Sequence, residues 1–254
     1  MCQQIDEPAR QRRLGQHTSS LPDYPADLIA FPVPRRVRPG LCNHHPVVRD
    51  VRVCFVGDSL VAGLGDPQCL GWAGRLAGRA TAAGIPLTYY NLGVRRQTSS
   101  DIAARWEAEC GQRLSGEVDA RVVFSFGVND TLWENGAIRV PADESAANLR
   151  RMLRRCAELD WTVLVVAPPP CIDDEQNTRT VELDDRFTEM CSGEQVQYLR
   201  VHQPLRHNDI WMRELRVGDG YHPGAPGYEQ LAAMIGPHWL QWLTEPRTRL
   251  PTVS

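Results

Sequence analysis

The chain predicts a three-layer α/β fold, a five-stranded parallel sheet with helices on both faces. Three observations carry this. Short apolar runs recur along the chain, and the first, third and fourth are near-continuous in Val, Leu and Phe, the pattern of strands buried on both faces. Longer segments of helical period separate them, and regular alternation of the two builds β-α units. No internal repeat or second block of elements follows, and 254 residues suit one α/β domain with an appendage.

Residues 1–50 stand apart. Proline recurs at Pro22, Pro25, Pro32, Pro34, Pro39 and Pro46, arginines cluster at Arg35, Arg36 and Arg38, and no period persists. That composition predicts an extended or disordered arm. Within it, Leu28 to Val33 is apolar enough to pack on a domain surface. The neighbours His44 and His45 read as exposed loop residues, since adjacent histidines rarely face one ion.

The domain proper is expected over residues 51–243, with 244–254 as a tail. Its strands are Val51–Val56, Leu87–Asn91, Arg121–Phe126, Thr162–Ala167 and Val196–Val201. The first helix is expected over Gly71–Ala83, the second over Ser100–Leu114, opened by the cap-like Thr98-x-x-Asp101. A third, Pro141–Leu159, starts with proline and then acids. Its Leu149, Met152, Leu153, Cys156 and Leu159 form one apolar stripe. Thr180–Met190 and Pro226–Leu243 complete the set, with Pro237 expected to break or kink the last.

Composition removes several function classes. The 42% apolar content supports a sizeable core, and a net charge of −3 gives no footprint for nucleic acid. All 28 basic residues are arginine, which excludes a Walker A lysine, a Schiff-base lysine and a Ser-Lys dyad. The eight cysteines form no C-x-x-C pair and no zinc spacing with histidine. Cys54, Cys110 and Cys156 lie inside predicted elements and read as reduced, small hydrophobes. Cys69 and Cys171 fall on loops near the strand ends, where a disulfide between them is the less favoured reading. No apolar stretch of signal-peptide or transmembrane length occurs, so cytoplasmic location without membrane insertion is expected.

Four short blocks carry the chemistry. Gly57-Asp58-Ser59-Leu60 follows the first strand, Asn91-Leu92-Gly93 the second, and Phe126-Gly127-Val128-Asn129-Asp130 the third; Asp219-Gly220-Tyr221-His222-Pro223 precedes the last helix. A nucleophile needs a base, the base an orienting carboxylate, and a developing oxyanion several donors. Taken singly, Ser59 reads as a turn serine or helix cap, Gly93 as a turn glycine, Asn129 as a turn-forming Asn, and His222 as a loop histidine. Their order and placement change the balance.

These blocks, in this order, resemble the GDSL or SGNH hydrolases, a family of esterases and lipases, over roughly residues 51–243. The resemblance, together with right-handed crossovers, implies the flavodoxin-like strand order 2-1-3-4-5. It implies Ser59 as nucleophile, His222 as base and Asp219 as its orienting carboxylate, spaced three apart so that one imidazole nitrogen faces each partner. Ser59, Gly93 and Asn129 then form the oxyanion hole, the last with a neutral side-chain donor. Asp58 and Asp130 read as structural. No G-x-S-x-G elbow occurs, which excludes the standard α/β-hydrolase arrangement. Trp133 and Tyr221 are candidate pocket walls, while Trp72 reads as packing for the first helix. Arg95 and Arg96 read as solvated loop residues ahead of an anion site.

The expected function is a serine esterase working through an acyl-enzyme on a small-molecule ester, without metal or organic cofactor. Polar residues dominate the loops around the site, from Arg95 to Thr98 and at Thr131, Glu134, Asn135 and Asp173 to Glu175, which favours short acyl chains. An acyltransferase, thioesterase or lysophospholipase on the same residues, or a non-catalytic binding module on the same fold, are the rivals. A flavodoxin-like nucleotide-binding protein is weaker still, because Gly63-Leu64-Gly65 lacks the G-x-G-x-x-G spacing. Homo-oligomerisation is left open.

Overall fold

In the computed structural model, residues 49–245 are described. The expectations for residues 1–48, including the packing of Leu28 to Val33, the His44-His45 pair, Cys2 and Cys42, lie outside them, as does the tail beyond residue 245.

The main sheet is built from β1 (Val51–Gly57), β2 (Leu87–Gly93), β3 (Asp119–Ser125), β6 (Thr162–Val166) and β7 (Gln197–Leu199). A separate hairpin joins β4 (Trp133–Glu134) to β5 (Ala137–Ile138). The main sheet is parallel throughout and runs β2-β1-β3-β6-β7. Counting sheet strands alone, this is the predicted 2-1-3-4-5 order. The order reverses between β1 and its neighbours β2 and β3, so the crevice beyond the ends of these strands is the switch point where α/β sheets place their sites.

Alternation along β1 builds two cores. Val51, Val53 and Phe55 face one layer, where α2 (Gly71–Ala82), α7 (Asp209–Val217) and α8 (Ala225–Thr244) pack through Trp72, Leu76, Trp211, Tyr228 and Trp239. Cys54 and Val56 face the other, filled from α3 (Ser99–Arg113), α4 (Ala142–Glu158) and α5 (Asp174–Gly193) by Ile102, Trp106, Leu149, Met152, Leu183 and Phe187. Trp72 stacks edge-on against Phe55, its centroid 5.5 Å away, so it is a core residue. The six described cysteines are free thiols, and only Cys69 among them is exposed.

The capping box read from Thr98 and Asp101 is present: Thr98 Oγ1 accepts from the Asp101 amide while the Asp101 carboxylate accepts from the Thr98 amide at 2.9 Å. Elsewhere the boundaries move. α5 starts six residues before the predicted Thr180, because Asp173 caps it by accepting from the Gln176 N–H at 2.8 Å. The loop expected after the last strand instead holds α6 (His202–Arg206) and α7, the latter capped by Asn208. α8 runs unbroken through Pro237. Arg79 donates to the Ala232 carbonyl in the turn before the proline. No helix among the described residues is long and apolar enough to cross a membrane.

Candidate active site

Ser59 heads α1 (Ser59–Ala62), a four-residue helix directly after β1. Asp58 caps it, accepting from the Leu60 N–H at 2.9 Å. Gly57 is required for this tight passage, since a Cβ there would lie 2.0 Å from the Ser125 carbonyl oxygen. The Ser59 side chain is nearly buried, and its N–H, an unpaired donor of the first helical turn, has no acceptor among the described residues.

The loop before α8 brings the other two groups. His222 Nε2 lies 2.7 Å from Ser59 Oγ, and His222 Nδ1 lies 2.6 Å from Asp219 Oδ2. Asp219 Oδ1 also accepts from the Tyr221 and His222 amides at 3.0 and 2.9 Å, so the turn shapes itself around its own carboxylate. Partial burial pulls the Asp219 pKa upward, but the bonds from the His222 ring and the two amides outweigh it and hold the carboxyl below its ordinary value. The side chain of Asp219 remains 57% exposed, so water screens part of its attraction to the imidazole. An ordered relay from carboxylate through imidazole to hydroxyl is thus in place.

The expected donors divide. Asn129 lies beside the relay; its Nδ2 donates to the Gln97 carbonyl at 3.1 Å and, less closely, to Asp58 Oδ2 at 3.3 Å. Gly93 is placed differently from the reading above. Its N–H donates to Asn91 Oδ1 at 3.0 Å, and it is not among the residues that line the cavity at Ser59. A Cβ on Gly93 would lie 2.2 Å from the Ala62 nitrogen and 2.7 Å from the Asp58 carbonyl oxygen. The glycine is there so that β2 can lie against α1. Arg96, read above as a solvated loop residue, instead lines the cavity, with a left-handed backbone at φ 64°. Its N–H has no acceptor among the described residues.

The cavity at Ser59 has a volume of about 220 Å³ and is walled by Leu60, Leu64, Val128, Leu132, Tyr221, Arg95 and Arg96. Tyr221 is therefore a wall, but Trp133 is not. It sits on the β4–β5 hairpin, 59% exposed, while the adjacent Glu134 pairs with Arg96 at 2.8 Å. A larger cavity of about 580 Å³ between α4 and α5 holds Arg150, Arg154, Arg186, Glu189 and Glu194 and no nucleophile. The small one holds Ser59, His222 and Asp219.

Two buried acids flank the relay. Burial pushes the Asp58 carboxyl up to about 7, aided by nearby Asp130 and opposed by the bonds from the Leu60 amide and Asn129. Asp130 is raised by burial too; it accepts from the Ser99 amide at 2.7 Å and the Ser145 hydroxyl at 2.6 Å, tying the start of α3 to α4. His202 is buried on α6 with neither ring nitrogen hydrogen-bonded. No cluster of three or more potential metal ligands occurs among the described residues.

The fold recurs in solved structures. A lipase/acylhydrolase from Enterococcus faecalis is 23% identical, with a TM-score of 0.62 over 75% of this chain and 96% of that one. Axe2, an acetylxylan esterase from Geobacillus stearothermophilus, is 16% identical, with a TM-score of 0.59 over 80% and 98%. LAE5, an α/β hydrolase enzyme from the metagenome of Lake Arreo, Spain, is 19% identical, with a TM-score of 0.61 over 78% and 98%. A search of curated proteins gave no match. Residues 55–230, well over half the chain and spanning every block from Ser59 to His222, match the model of the GDSL-like lipase/acylhydrolase family. The chain belongs to that family and is a hydrolase acting on ester bonds.

Proposed function

We propose that this protein is a serine esterase for short-chain carboxylic esters, working through an acyl-enzyme within a domain spanning residues 51–243. The observation that carries the reading is the continuous relay from Asp219 through His222 to Ser59, 2.6 and 2.7 Å per step, ending at a small cavity. Ser59 Oγ gives its proton to His222 Nε2 and attacks the ester carbonyl. Asp219 fixes the tautomer and stabilises the imidazolium. The imidazolium then returns the proton to the departing alkoxide. In the second half-reaction His222 takes a proton from water, the hydroxide attacks the acyl-enzyme, and Ser59 is regenerated with the free acid.

Charge develops on the carbonyl oxygen in both halves. The Ser59 N–H and Asn129 Nδ2 are its proposed donors, Asn129 releasing the long contact to Asp58 to make the new bond. Arg96 lines the cavity and its N–H has no acceptor among the described residues, so that N–H is the proposed third donor in the place that the sequence reading assigned to Gly93.

The cavity volume of about 220 Å³ falls below the ~300–1,000 Å³ typical of pockets for drug-sized ligands. Its apolar wall is short, interrupted by Asn129, Arg95 and Arg96. A groove suited to long chains would add ~0.8 kcal/mol for each buried methylene, and kcat/KM would climb with acyl length. With p-nitrophenyl esters from acetate to palmitate, the expected optimum is acetate or butyrate, with octanoate poorer. A steady rise through decanoate would replace this reading with a lysophospholipase or long-chain thioesterase.

A further inference from the structure

Gln176, in the first turn of α5, is almost fully buried, and no sequence signal marks it. Its Nε2 donates to the Val128 carbonyl at 2.8 Å and contacts Thr131 Oγ1 at 3.3 Å; its Oε1 accepts from the Tyr221 hydroxyl at 3.1 Å. Val128 immediately precedes Asn129, and Tyr221 immediately precedes His222. One amide therefore holds the two loops that bring the proposed oxyanion donor and the proposed base to Ser59. We propose that Gln176 is a positioning residue for the hydrolytic reaction, setting the distance between the Asn129 loop and the His222 loop. This rests on the esterase reading given above.

The chemistry of the residue fits the task. Only a carboxamide offers two donor hydrogens and an acceptor on one small planar group. Glutamate would accept from Tyr221 but, ionised, would set a charge against the Val128 carbonyl; leucine would hold neither loop. The start of α5 is itself a firm anchor. Asp173 caps it through the Gln176 amide, and Asn177 exchanges two bonds with the Cys171 main chain at 3.0 and 2.9 Å. The Asn129 side has further ties to α5, from Arg179 Nε to the Thr131 carbonyl and between Thr131 and Thr180. The His222 side has no further bond to α5 itself among the described residues; the Ile172 N–H, in the loop before α5, donates to the Gly220 carbonyl at 3.0 Å. Loss of Gln176 therefore loosens the His222 loop more than the Asn129 loop and releases neither completely. In a buried site an error of about 1 Å in the placement of a catalytic group is enough to cost on the order of 10²-fold in rate.

The test uses the full chain and three variants, Gln176→Leu, Gln176→Glu and Tyr221→Phe. Hydrogen exchange by mass spectrometry is measured beside ester hydrolysis. In Gln176→Leu the peptides covering Gly220–His222 should exchange faster, those covering Val128–Thr131 somewhat faster, and those of β1 and β3 at the wild-type rate. The kcat for a short-chain ester should fall by ~10–100-fold while KM stays within about threefold. Tyr221→Phe, which cuts only the link to the His222 loop and is the milder packing change, should give a smaller loss. Combined with Gln176→Leu it should add less than the product of the two. Gln176→Glu should keep both links while its carboxyl is protonated and can donate to the Val128 carbonyl, and lose rate as ionisation breaks that bond while the Tyr221 link remains. Unchanged exchange in both loops of a folded Gln176→Leu, a kcat within twofold of wild type, or strictly multiplicative effects would each overturn the proposal. Should Gln176→Leu fail to fold, Tyr221→Phe with wild-type exchange at Gly220–His222 and wild-type kcat would do the same. A wild-type protein inert to every ester, with both loops protected only when Gln176 is present, would sink the esterase reading and leave the clamp standing.

Discussion

Ser59 stands where it does because of its two neighbours. Gly57 lets β1 end against the Ser125 carbonyl, and Asp58 caps the four-residue α1. Asp58 does this at a cost, since burial lifts its pKa to about 7. A carboxyl with a folded-state pKa above its ordinary value of ~3.9 binds more protons folded than unfolded. Stability is then greatest below the ordinary value and declines as pH rises from ~4 to about 7. Asp58→Asn keeps an oxygen to cap the Leu60 amide and removes the ionisation. Its melting temperature relative to wild type should rise between pH 4.5 and 7 and level off above, with a plateau gain of about 1–3 kcal/mol after structural relaxation. Thermal unfolding across that range checks it, and a difference independent of pH would show that Asp58 carries no buried charge. At this scale the sequence was informative wherever chemistry demands a particular side chain. Ser59, Asp219, His222, Asn129 and Tyr221 were all legible, and they meet in one cavity. Arg96 and Gln176 were not, because a main-chain N–H and a buried amide leave no mark on residue type.

Elements were legible through their periods and obscure at their ends. The five sheet strands and the long helices follow from apolar runs and stripes. α6 and the β4–β5 hairpin were missed because they run from two to five residues, too short for a period to emerge, whereas α7 carries an apolar face of Trp211, Met212 and Leu215 that the reading as a loop overlooked. Trp133 was misplaced with its hairpin. It lies near the motifs in sequence, yet the hairpin carries it out to solvent. Gly93 shows the same limit in a sharper form. A glycine ending a strand beside the site satisfies both a donor role and a close approach, and only the packed structure separates them. Since a Cβ there would strike Ala62 and the Asp58 carbonyl, Gly93→Ala should push α1 away from β2. The expected result is a lower melting temperature together with a fall in kcat of tenfold or more, because Ser59 rides on α1. A variant with unchanged melting temperature and a selective loss of kcat would restore Gly93 to the oxyanion hole.

For the whole molecule, strand order, three-layer packing and the position of the site are one fact. Placing β1 between β2 and β3 opens a crevice past their ends, and α1, the loop from Arg95 to Thr98, the Asn129 loop and the loop before α8 all close around it. That was readable in advance because the family resemblance, together with right-handed crossovers, implied the order and because the first three motifs each end an apolar run. For residues 1–50 the sequence offers composition alone, which sets no contacts. The central claim is that Ser59 is the nucleophile of this arrangement. Labelling of the full chain with a fluorophosphonate, followed by peptide mass spectrometry, tests it most directly. One adduct on Ser59 is expected, with Ser59→Ala losing both the label and ester hydrolysis while keeping its fold. An adduct elsewhere, with Ser59→Ala still hydrolysing esters, would contradict it.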